Sequence, residues 1–269
     1  MNDLTVSLIQ TDLHWQDASA NRATMDQCLE QISMPTDLIV LPEMFTTGFS
    51  MDAAALAEPM DGPTVEWMRA QAAAHDAVLT GSVIIREGST FHNRLLWVRP
   101  DGSLNYYDKR HLFTLAGEQH VYTAGQSRLV EEWRGWRICP LVCYDLRFPV
   151  WSRNQALQPY DLLLYLANWP AVRRNAWNCL LRARAIENVS YTLGVNRIGH
   201  DGHGQEYAGD SALIDMRGDY LLQAGNLQSC ITRTLRRAEL EDFRSKFTAL
   251  QDADDFELTN TLSLQPHTV

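Results

Sequence analysis

Three runs in this chain are apolar at successive positions and too short to be helices: Leu38-Ile39-Val40-Leu41, Ile138-Cys139-Pro140-Leu141-Val142 and Leu162-Leu163-Leu164-Tyr165-Leu166-Ala167. Neighbouring side chains of a strand point to opposite faces, so a strand with no polar alternation needs both faces covered. Between such runs lie segments with helical spacing. Residues 18–32 carry Ala23, Cys28, Leu29 and Ile32, and Gly62-Pro63-Thr64 opens a helix to residue 75, since proline is tolerated in a first turn. Residues 175–188 and 237–247 read as helices too, as does a stretch near 150–157. Hairpins interrupt the alternation. Pro100-Asp101-Gly102-Ser103 turns strand 94–98 into 104–107, and Met216-Arg217-Gly218-Asp219 turns 211–215 into 220–223.

Hairpins among buried strands mean mixed sheets. The expected fold is one α/β unit of two mixed sheets face to face with helices outside. No linker or internal repeat divides the 269 residues, so the helix and extended tail of 236–269 belong with residues 1–235. The first residues, Met1-Asn2-Asp3-Leu4-Thr5-Val6, read as the start of a strand and not as a signal peptide.

Acids outnumber bases 33 to 23, a formal charge of −10, which argues against nucleic acid as the main partner. No apolar run approaches bilayer length. Five cysteines at irregular spacing do not make a disulfide framework, so a reduced, cytoplasmic protein is expected.

Sites in α/β proteins are built beyond the carboxyl ends of strands. Three chemically apt residues stand there. Cys143 closes the run 138–142, Glu43 follows Leu41-Pro42, and Lys109 ends 104–108. A thiol becomes a strong nucleophile once a neighbour takes its proton, a duty for Glu43. Acyl transfer builds negative charge on a carbonyl oxygen, which Lys109 and the backbone N–H of Tyr144 would hold. Each residue also has a bland reading, as inert core cysteine, loop carboxylate or solvated lysine.

The phrases around these residues decide between the readings. Leu41-Pro42-Glu43-Met44-Phe45, Tyr107-Asp108-Lys109-Arg110-His111-Leu112-Phe113 and Leu141-Val142-Cys143-Tyr144-Asp145-Leu146-Arg147-Phe148-Pro149 resemble, in this order, the nitrilase (carbon–nitrogen hydrolase) family. Gly117-Glu118, Ala167-Asn168-Trp169-Pro170, residues 182–188 and Val195-Asn196-Arg197 extend the resemblance over residues 4–235. It implies an α-β-β-α sandwich that pairs into a homodimer, with no cofactor or metal. It also implies Cys143 as nucleophile, Glu43 as general base, Lys109 as stabiliser of the intermediate, and Glu118 as a second glutamate supporting the lysine. The cysteine phrase is most similar to that of the omega-amidases, which release ammonia from 2-oxoacid monoamides such as 2-oxoglutaramate and 2-oxosuccinamate. They serve after glutamine transaminases, including one in methionine salvage.

Other readings remain at this level. Another small amide or carbamoyl compound could be the substrate, or the chain could be a scaffold that kept the fold alone. A Cys–His hydrolase would pair Cys143 with His111, His120 or His200, leaving Glu43 and Lys109 unexplained. Zinc would need a second Cys/His pair beyond Cys139 and Cys143. Asn168, Trp169 and Pro170, at the next strand end, are expected to line the pocket. Arg173 or Arg174 is the expected anchor for a substrate carboxylate, because a guanidinium pairs bidentately with it. Arg147 is expected instead to brace the loop that carries Cys143.

Overall fold

The computed structural model describes residues 3–254 and 256–258. Two six-stranded mixed sheets form its centre. The first runs in the order β14-β1-β2-β3-β4-β5, with β1 Leu4–Gln10, β2 Leu38–Val40, β3 Val78–Glu87, β4 Thr90–Val98, β5 Leu104–Asp108 and, last among the described residues, β14 Ser229–Leu235. The second runs β13-β12-β9-β8-β7-β6, with β6 Glu131–Trp133, β7 Trp136–Val142, β8 Leu162–Ala167, β9 Tyr191–Asn196, β12 Ala212–Ile214 and β13 Tyr220–Gln223. A short ribbon pairs β10 Ile198–His200 with β11 Glu206–Ala208. In each sheet three central strands are parallel and the flanking ones antiparallel.

The unbroken apolar runs now have their explanation. Leu38 and Val40 join the core between the sheets together with Leu141 and Leu164. Ile39 and Leu41, pointing the other way, pack with Met25, Leu29, Val65 and Met68 from helices α1 (Ala18–Leu29) and α3 (Pro63–His75). β1 touches β9 and β4 touches β7 across the gap, so the sheets pack face to face. A one-turn helix, α2 (Ala53–Leu56), follows the first crossover. On the outside of the second sheet lies α5 (Arg174–Asn188), burying Trp177, Leu181 and Ala185. It sits so close that a Cβ on Gly194 of β9 would come within 2.6 Å of Leu181.

Two expectations need correction. The helix expected near 150–157 is a single turn, α4 (Pro149–Ser152). Asn154 captures the chain beyond it: its Oδ1 accepts from the N–H of Tyr160 at 2.9 Å and its Nδ2 donates to the Tyr160 carbonyl at 3.0 Å. Asparagine side chains that bond nearby backbone groups compete with helix, and here the loop wins. Strand β14 was not foreseen either, because Ser-Cys-Ile-Thr-Arg-Thr-Leu has no apolar run. It is held by antiparallel pairing with β1, from Leu4 opposite Leu235 to Gln10 opposite Ser229.

Helix α6 (Arg237–Lys246) buries Leu240 and is tied to the second sheet through Asp161. That carboxylate accepts from Arg237 Nη1 at 2.9 Å, Arg244 Nη1 at 2.8 Å and the Arg137 N–H at 3.0 Å. The tail expected at the C-terminus lies mostly outside the described residues. Removing the shared acid leaves two largely buried guanidinium groups without a counter-charge. Asp161→Ala is therefore expected to lower unfolding free energy by about 3 kcal/mol or more, read by urea denaturation.

Candidate active site

Four strand ends meet at one edge of the sandwich. β5 runs in the same direction as β2 and β3, because two antiparallel steps through β4 restore the direction. Glu43 lies three residues past β2, Lys109 directly follows β5, Cys143 directly follows β7, and Asn168 directly follows β8. The two sheets thus deliver a carboxylate, an ammonium and a thiol from opposite sides.

Lys109 occupies the centre. Its Nζ donates to Glu43 Oε1 at 3.0 Å and to Glu118 Oε1 and Oε2 at 3.0 and 2.9 Å. All three side chains are essentially sealed from solvent. Burial pulls the lysine down, but the charges of Glu118 and Glu43 outweigh it and hold the ammonium above its ordinary value. Burial also pushes Glu118 up; Lys109 works against that rise and the Glu43 charge adds to it. Glu118 reaches this point from a short 3-10 turn that follows Gly117, whose φ of 75° lies in the left-handed region glycine favours. The Phe113 N–H donates to Glu118 Oε2 at 2.5 Å and fixes the carboxylate from the other side.

Cys143 stands on a sharp corner. Its φ of 45° is strained for a residue with a Cβ, and a 3-10 turn, Cys143–Arg147, starts there. Asp145, fully buried, holds the corner. Its carboxylate accepts from the Val142 N–H at 3.0 Å, Tyr107 Oη at 2.7 Å, and the His111 N–H and Nδ1 at 3.0 and 2.8 Å. One acid therefore couples the Cys143 turn to the segment carrying Lys109. The thiol is pushed well above its ordinary value, first by burial, then by the Glu43 charge and a hydrogen bond with Glu43. At rest the sulfur is a thiol and needs a base. The first N–H groups of a helical turn have no partner within it, so the Tyr144 N–H is free of the turn's own ladder.

The sulfur opens into a small cavity of about 40 Å³ lined by Lys109, Cys143, Tyr144, Asn168, Trp169 and Pro170, with Phe49, Phe113, Arg147, Arg173 and Tyr207 completing the walls. Asn168, Trp169 and Pro170 thus fall where the sequence placed them. Arg147 lies over the Trp169 ring at 5.0 Å and Arg173 over the Phe113 ring at 5.2 Å. Among the described residues neither guanidinium has a carboxylate partner.

Two sequence expectations about arginine are therefore revised. Arg174 is exposed and outside the cavity, its Nη2 donating to Asp210 Oδ1 at 2.7 Å, because the first turn of α5 carries it around to the outer side. Arg147 faces the cavity, and the bracing expected of it belongs to Asp145 and to Arg184, whose Nη2 holds the Leu146 carbonyl at 2.7 Å. None of His111, His120 and His200 lines the cavity, which leaves a Cys–His pairing without geometry. Among the described residues no His, Cys, Asp and Glu side chains cluster as a metal site.

The sequence reading missed Asn93, Asp145, Phe49, Phe113 and Tyr207. Asn93 had a signal, a polar residue inside the strand 90–98 next to an apolar stretch. Tyr207 had none, since it arrives from the short ribbon and only the folded chain brings it near Cys143.

The description "Carbon-nitrogen hydrolase" fits residues 5–245 of this chain. The chain belongs to the carbon–nitrogen hydrolase family. It is 51% identical to the omega-amidase YafV of Escherichia coli K12, over 96% of this chain and all of that protein. It is 30% identical to the 2-oxoglutaramate amidase of Bacillus subtilis, over 92% and 96% of the two chains. In three dimensions it resembles XC1258 from Xanthomonas campestris, a CN-hydrolase superfamily protein crystallised with an arsenic adduct in the active site. That match has a TM-score of 0.94 at 49% identity, covering 96% of this chain and 100% of that one.

The lysine makes a pH prediction. Its folded value is raised above the ordinary 10.5, so its contribution to stability is complete below that pH and is lost as pH rises toward the folded value. The difference in unfolding free energy between the protein and Lys109→Met should narrow as pH rises above about 10. Paired urea titrations across this range measure it.

Proposed function

We propose that this protein is an omega-amidase that hydrolyses the terminal amide of a 2-oxoacid monoamide, 2-oxoglutaramate or 2-oxosuccinamate, to the dicarboxylate and ammonia. The observation that carries this reading is one cavity. It presents a thiol and an ammonium at one end, with the Glu43 carboxylate buried behind the ammonium, and on its wall two guanidinium groups that have no acid partner among the described residues. The curated relatives named above support the same substrate class.

The reaction follows from the groups in place. Cys143 Sγ attacks the amide carbon as Glu43 takes the thiol proton, and the C=O pair moves onto oxygen. Lys109 and the Tyr144 N–H face that oxyanion, where fixed donors in a dry site act most strongly. Glu43 returns its proton to the amide nitrogen, the C–N bond breaks and ammonia leaves a thioester. A water then attacks the thioester, giving one proton to Glu43. Collapse of the second tetrahedral intermediate restores the thiol with that proton and releases the acid. Glu118 keeps Lys109 charged and in line through both halves.

Specificity in this reading comes from the other end of the substrate. A carboxylate is a planar acceptor that a guanidinium fork matches, and Arg147 and Arg173, each resting on an aromatic ring, have no carboxylate partner among the described residues. A homodimer and a role behind glutamine transaminases, including methionine salvage, go with this reading on the family relationship alone.

Cys143→Ala is expected to abolish ammonia release while leaving circular dichroism and melting temperature unchanged; substantial residual amidase activity would overturn the nucleophile. Arg147→Ala and Arg173→Ala are each expected to reduce kcat/KM for 2-oxoglutaramate by about 10- to 100-fold, the range spanned by a charged hydrogen bond. Hydrolysis of a neutral amide of similar size should change far less. Equal losses on both substrates would remove the anchor.

A further inference from the structure

We infer that Asn93, which takes no part in bond making, is a positioning residue that dictates which oxygen of Glu43 receives the thiol proton. The inference rests on the reading of Glu43 as the base.

An ionised carboxylate offers about two lone-pair sites on each oxygen. Glu43 Oε1 receives Lys109 Nζ at 3.0 Å and Asn93 Nδ2 at 2.8 Å, so both of its sites are in use. Glu43 Oε2 receives the Asn168 N–H at 2.8 Å, which leaves one site open. The sulfur lies on that side. Cys143 Sγ is 3.9 Å from the carbonyl oxygen of Asn168, the same residue whose N–H holds Oε2. The open lone pair of Oε2 therefore takes the proton as the C–S bond forms, and the same oxygen carries it to the departing nitrogen.

Asn93 is built for this duty. It sits on β4 with 1% of its surface exposed, and its backbone carbonyl accepts the Lys109 N–H at 3.0 Å. Its side chain is thus fixed relative to the lysine that shares Oε1. The same Nδ2 lies 3.5 Å from Glu118 Oε1, placing one amide group between two carboxylates. Its own Oδ1 is buried and, among the described residues, has no partner. A strand position that served packing alone would hold an apolar side chain and leave no orphaned acceptor. The carboxylates explain the amide. Asn168 completes the clamp: its Nδ2 donates to the Glu43 carbonyl at 2.6 Å and pins the backbone behind the base.

The test is a double-mutant cycle with two readouts. Asn93→Ala, Glu43→Gln and the double variant are compared in iodoacetamide alkylation of Cys143, followed by peptide mass mapping because Cys179 is exposed and would react as well. In parallel, kcat and KM are measured on 2-oxoglutaramate. Glu43→Gln should slow alkylation. Asn93→Ala should slow both alkylation and kcat by about 10- to 100-fold, with KM within about threefold. In the Glu43→Gln background the Asn93 substitution should slow alkylation no further, because it acts only through that carboxylate. A folded Asn93→Ala protein with unchanged kcat and alkylation, or losses that multiply in the double variant, would overturn the inference. If Asn93→Ala does not fold, Asn93→Ser, which keeps a polar group in the strand, carries the same cycle. Alkylation unaffected by Glu43→Gln would instead sink the reading of Glu43 as base, a result distinct from failure at Asn93 alone.

Discussion

An ammonium sealed between two carboxylates is the constraint on which this structure turns. Taking Lys109, Glu43 and Glu118 out of water costs several kcal/mol for each ion, and only close, well-directed pairing returns it. Glu43 follows β2, and Lys109 and Glu118 both follow β5 of the same sheet, so the pairing is satisfied only when the loops after β2 and β5 converge. Hydrophobic burial can tolerate small slips in register. A buried charge cluster with contacts of 2.9 to 3.0 Å cannot.

Cys143 is attached to this cluster mechanically. Asp145 gathers donors from the Cys143 turn and from the Tyr107–His111 segment, so a shift in either would break hydrogen bonds to a buried carboxylate. That arrangement holds Cys143 in a strained backbone conformation. The thiol it presents is neutral at rest and buried, guarded from casual oxidation by the lack of thiolate.

Charge is distributed with the same economy. In a chain with a surplus of ten acids, most arginines with nearby carboxylates are engaged with them, as Arg174 is with Asp210 and Arg94 with Asp108. Arg147 and Arg173 lie on aromatic faces instead, beside the reactive end of the cavity. Stacking holds a guanidinium in place without occupying its N–H groups, which stay available to an anion.

Short-range features were legible in the sequence. Unbroken apolar runs announced two-sided strands, hairpin turns announced mixed sheets, and reactive residue types after three strand ends singled out Glu43, Lys109 and Cys143, which the fold brings to one edge of the sandwich. The sequence had no means of showing β14, whose place comes from pairing with a strand more than two hundred residues earlier. It left the choice between the arginines open: adjacent residues look equivalent in a string, but the turn into α5 sends Arg173 to the cavity and Arg174 to Asp210. Asn93 stood out as a polar residue inside a strand, but the carboxylates its side chain meets, like the Tyr107 and His111 donors that Asp145 gathers, are distant in sequence and left no local pattern. Periodicity and residue chemistry are local and survive in the string. Which donor meets which lone pair depends on the relative placement of strand ends from two sheets, and packing alone fixes that.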